Sequence, residues 1–209
     1  TEIYTLSLHD ALPILRGCDI TMTTGAAIWF TGLPGSGKSS VARGVAAALE
    51  AAGQPVTLLS MDARRKVYFP VPAYTEDERD SAYLMFAGDA AGLVREGRVV
   101  LMDATGNRKR WRDRARALIP RFAEVYVSCP VSVAMAREAS RPEGLVMAGL
   151  YAKALARKAT GEEVPGLGEV VGVDVPFEDD PAAECVVDAA TLSVEQARDA
   201  VLRFLDGWL

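Results

Sequence analysis

The residues Gly32-Leu33-Pro34-Gly35-Ser36-Gly37-Lys38-Ser39 match the pattern GxxxxGK[ST] without a mismatch. Each type at each position has a chemical use. Glycines let the backbone fold around a chain of phosphates with its N–H groups pointing inward. The helix that such a loop opens adds a field favourable to anions at its N-terminus. Lys38 is placed to reach the β- and γ-phosphates of ATP, and the hydroxyl of Ser39 to ligate Mg²⁺. With Ser40, these residues form the expected ATP-binding set, with ATP and Mg²⁺ as the implied cofactors.

The other reactive candidates lie further along the chain. Asp62 follows an apolar run in Leu58-Leu59-Ser60-Met61-Asp62-Ala63-Arg64-Arg65. It serves either to take the proton of an acceptor hydroxyl or help hold Mg²⁺, or to cap a helix. Arg65, one helical turn on, is either an anion clamp or a solvated surface residue. Asp103 ends another apolar run. It either holds Mg²⁺ through water or orients the loop that follows it. Residues 104–116 (ATGNRKRWRDRAR) are dense in arginine. Part of that density is a solvated helix face, and one or two residues are expected to meet phosphate or sulfate. Spacing does not choose between Arg108, Arg112 and Arg114. The one histidine, His9, lies in an N-terminal stretch set apart below, so Asp62 is the expected base.

Elements that alternate between strand and helix must position these groups. Residues 26–31, 56–60, 98–103, 122–128 and 185–188 are short apolar runs that predict strands. Residues 38–52, 75–96, 109–118, 131–139 and 194–205 have helical spacing, and a shorter helical piece falls near 151–158. Such alternation predicts an α/β fold of the P-loop type: three layers, α/β/α, around a parallel sheet of about five strands with right-handed crossovers. Ligands then bind beyond the carboxyl ends of the strands, where 32–39, 61–65, 104–108 and 129–130 fall. Residues 141–181, rich in Gly, Pro and charge, read as a lid that excludes water so that phosphate passes to an acceptor. The absence of an NKxD guanine motif also favours a kinase over a GTPase.

Length and composition set bounds. Residues 22–209 are expected to form a single domain. Residues 1–21 hold no steady period, lack signal-peptide features, and resemble translated sequencing-adapter read-through; they are read as a non-native or disordered extension. A net charge of −5 with no basic block argues against nucleic acid as a partner. No window is apolar enough for a membrane span. Cys18, Cys129 and Cys185 form no CxxC pair, so neither a zinc site nor a disulfide framework is expected; a reducing, cytoplasmic setting fits, with Cys129 and Cys185 as small core residues.

Beyond the loop, the chain resembles the adenylylsulfate kinase family over most of residues 22–188. Residues 59–65 (LSMDARR) are similar to the family's LDGDNxR, and 74–79 (YTEDER) to its FSPEDR. Pro130 to Arg137 resembles the segment that ends in the lid arginine. Residues 149–154 (GLYAKA) resemble GLYKKA, and 172–178 (GVDVPFE) resemble GIDxPYE. The resemblance implies phosphorylation of the 3′-hydroxyl of adenosine 5′-phosphosulfate, with Asp62 as base or Mg²⁺ partner. It implies that Arg65 and Arg79 hold the phosphosulfate and Tyr74 stacks on the acceptor adenine. Arg137 would serve the ATP side, and Lys153 would contact the acceptor. Members often form homodimers. Four departures stand out. Asp103-Ala104-Thr105-Gly106-Asn107 replaces the family's FISP segment. Ala82 stands where an asparagine is expected, and Val170 or Val171 where a phenylalanine is. About eight residues, near 140–148, are inserted. A related kinase with another hydroxyl acceptor is the alternative reading, and a nucleotide-binding module without catalysis is a third.

Overall fold

The computed structural model describes residues 25–73, 75–140 and 149–209. The N-terminal stretch with His9 and Cys18, together with Tyr74 and residues 141–148 of the expected insertion, lies outside the described residues. Five parallel strands run in the order β2-β3-β1-β4-β5: β1 Ala26–Thr31, β2 Val56–Ser60, β3 Val99–Asp103, β4 Phe122–Ser128 and β5 Cys185–Asp188. Seven helices connect and cover them among the described residues: α1 Lys38–Ala51, α2 Met61–Tyr68, α3 Glu76–Arg95, α4 Lys109–Leu118, α5 Val131–Ala139, α6 Leu150–Thr160 and α7 Val194–Asp206.

The strands read as unbroken apolar runs because both faces of the sheet are covered. Along β1 the side chains alternate between two cores. Ala27 and Trp29 pack with Tyr83, Phe86 and Ala90 of α3 and Trp111 and Ala115 of α4. Ile28 and Phe30 pack with Val41 and Val45 of α1 and Val201 and Leu205 of α7. Helix starts follow local chemistry. The Thr75 hydroxyl accepts from the Glu78 N–H at 3.2 Å, and Ser193 with Gln196 forms a capping box. Cys129 is buried and Cys185 half-buried, both as free thiols raised above their ordinary pKa by burial.

One helix was not marked by periodicity. Residues 61–68 (MDARRKVY) form α2, although Met61 is its one buried residue. Ser60 takes the N-cap position, so Asp62 sits inside the first turn rather than capping it. The helix is held to α3 through Asp89, which accepts the Tyr68 hydroxyl at 2.5 Å and pairs with Arg64 at 3.4 Å.

The core contains a charge. Arg112 of α4 and Glu124 of β4 are each 1% exposed, with Nε 3.0 Å from Oε1. Removing one member of a buried pair strands the other without solvent. Glu124→Ala is therefore expected to cost about 3–5 kcal/mol of stability in urea denaturation. A loss under about 1 kcal/mol would mean that Arg112 regains water or another partner.

Candidate active site

The phosphate loop spans the turn from β1 into α1, as its pattern requires. Gly35 has φ +84, and a Cβ there would lie 2.3 Å from the carbonyl oxygen of Ala134, so only glycine fits. Ser36 N–H donates to the Leu33 carbonyl at 3.1 Å, closing the turn. The Ser36 hydroxyl is buried with no hydrogen-bond partner, a sign of a loop shaped for a polar guest. Ser39 Oγ donates to Asp103 Oδ1 at 3.1 Å, joining the start of α1 to the end of β3. A hydroxyl and a carboxylate at this spot suit a hard divalent cation that draws its other oxygens from phosphate and water. Among the described residues no cluster of three or more His, Cys, Asp or Glu offers an all-protein metal site.

A cavity opens beyond the carboxyl ends of β1, β2 and β3. Its wall brings together Lys38, Ser39, Asp62, Arg65, Arg79 and Asp103, which lie far apart in sequence. Tyr83, Asn107 and Trp111, with Glu169, Val170 and Val171, complete it. Arg65 has no ion-pair partner among the described residues. Arg79, in contrast, is engaged: Nη1 lies 3.2 Å from Glu169 Oε2, and Nη2 donates to the Glu169 carbonyl at 3.1 Å. Sequence reasoning missed Tyr83, Trp111 and Glu169. The two aromatics look like ordinary apolar positions of amphipathic helices, and Glu169 lies in a glycine-rich stretch without periodicity.

The loop after β3 is fixed on every side. Trp29 Nε1 donates to the Ala104 carbonyl at 3.0 Å, and Thr31 Oγ1 to that of Thr105 at 2.6 Å. Gly106 N–H donates to the Tyr83 hydroxyl at 3.0 Å. That tyrosine stacks on Trp111 with ring centroids 4.1 Å apart. Gly106 has φ +50, and a Cβ would meet the Trp29 ring at 2.8 Å. The same loop is sewn to residues 176–178. Asn107 Nδ2 donates to the Pro176 carbonyl at 3.2 Å, Glu178 N–H to the Asn107 carbonyl at 2.9 Å, and Lys109 N–H to Glu178 Oε2 at 2.7 Å.

The arginine cluster is thereby resolved. Arg112 is the buried partner of Glu124, and its guanidinium also donates to the carbonyls of Gly106 and Glu178. Arg108 pairs with Glu178 at 3.3 Å, and Arg114 lies 4.0 Å from Asp80. None of the three is among the residues that line the cavity; the arginines on the wall are Arg65 and Arg79.

A second hollow lies on the other side of the phosphate loop, lined by Gly35, Gly37, Ser40, Arg137, Ala189 and Leu192. Arg137 spans it, donating to the carbonyls of Ser36 at 3.4 Å and Ala189 at 2.6 Å. Next to it, buried Glu138 accepts from the N–H groups of Leu150 and Tyr151, capping α6, and the Tyr151 hydroxyl donates to the Pro34 carbonyl at 2.8 Å. Lys153 is exposed on α6 and is not among the residues that line the cavity.

A parallel sheet in this order, a phosphate loop, and a cavity with a carboxylate and two arginines facing that loop define a P-loop kinase. Residues 24–188 match the model of the adenylylsulphate kinase family, and the chain belongs to that family. A probable adenylyl-sulfate kinase of Archaeoglobus fulgidus is 34% identical over 161 residues, covering 77% of this chain and 94% of the relative. A probable bifunctional SAT/APS kinase 2 of Sorangium cellulosum is 32% identical over 88% of this chain, which spans 29% of that relative's length. The Mycobacterium tuberculosis APS kinase CysC, solved in complex with AMPPNP and APS, superposes with a TM-score of 0.73 at 26% identity, covering 88% of this chain and 98% of that one. No helix among the described residues is long and apolar enough to cross a membrane.

The Lys109 N–H, aided by Arg108, holds the Glu178 carboxyl below the ordinary carboxylate range. A depressed carboxyl contributes stability above its unfolded pKa, about 4.3, and loses it as pH falls through its folded value. Glu178→Gln is therefore expected to be less stable than the parent at pH 7, with the two converging below about pH 4 in urea titrations. A gap undiminished in acid would show that the carboxylate charge is not what holds this junction.

Proposed function

We propose that the chain transfers the γ-phosphoryl group of ATP to the 3′-hydroxyl of adenosine 5′-phosphosulfate. One observation supports this above the others. Asp62, Arg65 and Arg79 share a cavity with Lys38 and Ser39, so a base and two anion-binding forks face the group that holds the transferred phosphate. Phosphoryl transfer needs placement and charge stabilisation more than covalent help from the protein. In this reading the loop around Gly35 and Lys38 fixes the polyphosphate, and the hollow bounded by Arg137, Ala189 and Leu192 takes the nucleoside. Arg65 and Arg79 hold the acceptor's anionic tail by charge-assisted hydrogen bonds. Asp62 accepts the proton released by the attacking hydroxyl. Ser39 and Asp103 hold Mg²⁺, which neutralises charge on the phosphates when bound. Tyr74 stacks on the acceptor base, and residues 141–181 act as the lid. The setting is the cytoplasm.

A second reading keeps the kinase and changes the acceptor. The wall carries Val170 and Val171 where a stacking aromatic would favour adenine, and the loop from Asp103 to Asn107 has its own form. An ADP-release assay with and without adenosine 5′-phosphosulfate separates the two. Strong stimulation with the 3′-phosphorylated product seen by mass spectrometry supports the first reading. A folded, ATP-binding protein with no stimulation overturns it.

Asp62→Asn is expected to lower kcat by about 10²–10⁴ while ATP binding by calorimetry is retained; undiminished turnover would remove Asp62 as base. Asp103→Asn is expected to raise the Mg²⁺ concentration needed for half-maximal rate at fixed ATP. An unchanged Mg²⁺ titration would assign Asp103 to holding the neighbouring loop instead.

A further inference from the structure

The two arginines on the cavity wall are in different states. Arg65 has no ion-pair partner among the described residues, whereas Arg79 is paired with Glu169. The geometry of that pair is asymmetric. The Arg79 side chain is 11% exposed and the Glu169 side chain 55%. Arg79 is further fixed by its bond to the Glu169 backbone carbonyl at 3.1 Å. That stretch of backbone is itself held. Arg157 donates to the carbonyls of Leu167 at 2.7 Å and Gly168 at 3.1 Å, and Asp174 accepts from the Val170 N–H at 2.7 Å. The guanidinium and the carbonyl it rests on are therefore fixed, while the Glu169 carboxylate is tethered only by its own rotamers and its contact with Arg79.

We propose that Glu169 is a built-in stand-in for the acceptor's anion: it pairs with Arg79 on the cavity wall and must be displaced when an anionic acceptor binds. Charge supports the role. The cavity's three cations, Lys38, Arg65 and Arg79, are matched by three carboxylates, Asp62, Asp103 and Glu169. Of those carboxylates, Glu169 alone pairs with an acceptor-side arginine. Because the Glu169 carboxylate is open to solvent, its hold on Arg79 is weak enough to exchange. An acceptor with a strongly anionic tail wins that exchange, because its oxygens replace the carboxylate on a guanidinium that is already aimed. A neutral hydroxyl compound gains nothing from it. The residue thus makes the cavity select for charge, and it sets the acceptor's KM rather than the rate of transfer.

This inference rests on the reading of Arg79 as an acceptor contact, and the experiment separates the two. Steady-state kinetics of the full chain and of Glu169→Gln would be compared with adenosine 5′-phosphosulfate, and calorimetry would measure inorganic sulfate binding with the phosphate loop filled by ADP. The expected result is a KM for the acceptor lowered roughly two- to tenfold, a KM for ATP and a kcat unchanged within about twofold, and tighter sulfate binding. Arg79→Ala in the Glu169→Gln background should erase the gain. A KM for the acceptor that is unchanged or raised in Glu169→Gln overturns the proposal, the latter showing that Glu169 supports Arg79 instead of masking it. If the parent protein does not turn over adenosine 5′-phosphosulfate, the acceptor reading fails, and sulfate still decides the stand-in: tighter binding to Glu169→Gln upholds it, and equal or weaker binding refutes it.

Discussion

A parallel sheet returns its chain to the same end after every strand, so the carboxyl ends of β1, β2 and β3 share one edge and the loops leaving them share one space. The register puts Phe30 beside Asp103 and Ser60 beside Asp103 on the other side. The phosphate loop, the first turn of α2 and the loop after β3 thus emerge together. Lys38, Asp62 and Asp103 have no local reason to meet. They meet because the strands beneath them are of matched length and pair in step, and the hydrogen bond from Ser39 to Asp103 records how closely those ends coincide.

Much of this was legible in the residues. The strand over 122–128 and the helices over 109–118 and 131–139 have the bounds the pattern predicts, since apolar runs flanked by polar breaks leave little choice. The phosphate loop was legible for a different reason: its glycines answer to backbone geometry, and no other residue type satisfies φ +84 against the Ala134 carbonyl. What escaped was of two kinds. Helix α2 is charged and mostly exposed, so it carries no stripe for periodicity to detect. The partners of the arginines were also hidden. Arg108, Arg112 and Arg114 are equivalent by spacing, and only the fold reveals that Arg112 points into the core at Glu124 while Arg65 and Arg79 face the cavity. A sequence gives the charge of a side chain and withholds the direction in which it points.

The cavity roof shows how a segment poor in regular structure is made definite. Residues 166–178 contain a single bridge, between Val171 and Val175, and no helix. Two arginines do the work that a ladder of hydrogen bonds would do elsewhere. Arg157 gathers the carbonyls of Leu167 and Gly168 and the carboxylate of Asp174 at one end. Arg112 holds the Glu178 carbonyl at the other, where Phe177 also stacks on Tyr126 at 5.2 Å. The fork geometry of guanidinium allows one side chain to satisfy several backbone acceptors. Glu169 and Val170 face the cavity between these fixed ends.

The seam between the loop after β3 and residues 176–178 has a consequence for protein engineering. Its members are about seventy positions apart in the chain, yet each satisfies a backbone group of the other: Asn107 and Pro176, Glu178 and Asn107, Lys109 and Glu178. The two segments therefore form one transferable module. Grafting either alone into a related scaffold would leave part-buried donors and acceptors without mates, whereas exchanging both, with Arg112 beneath them, would carry the seam across intact.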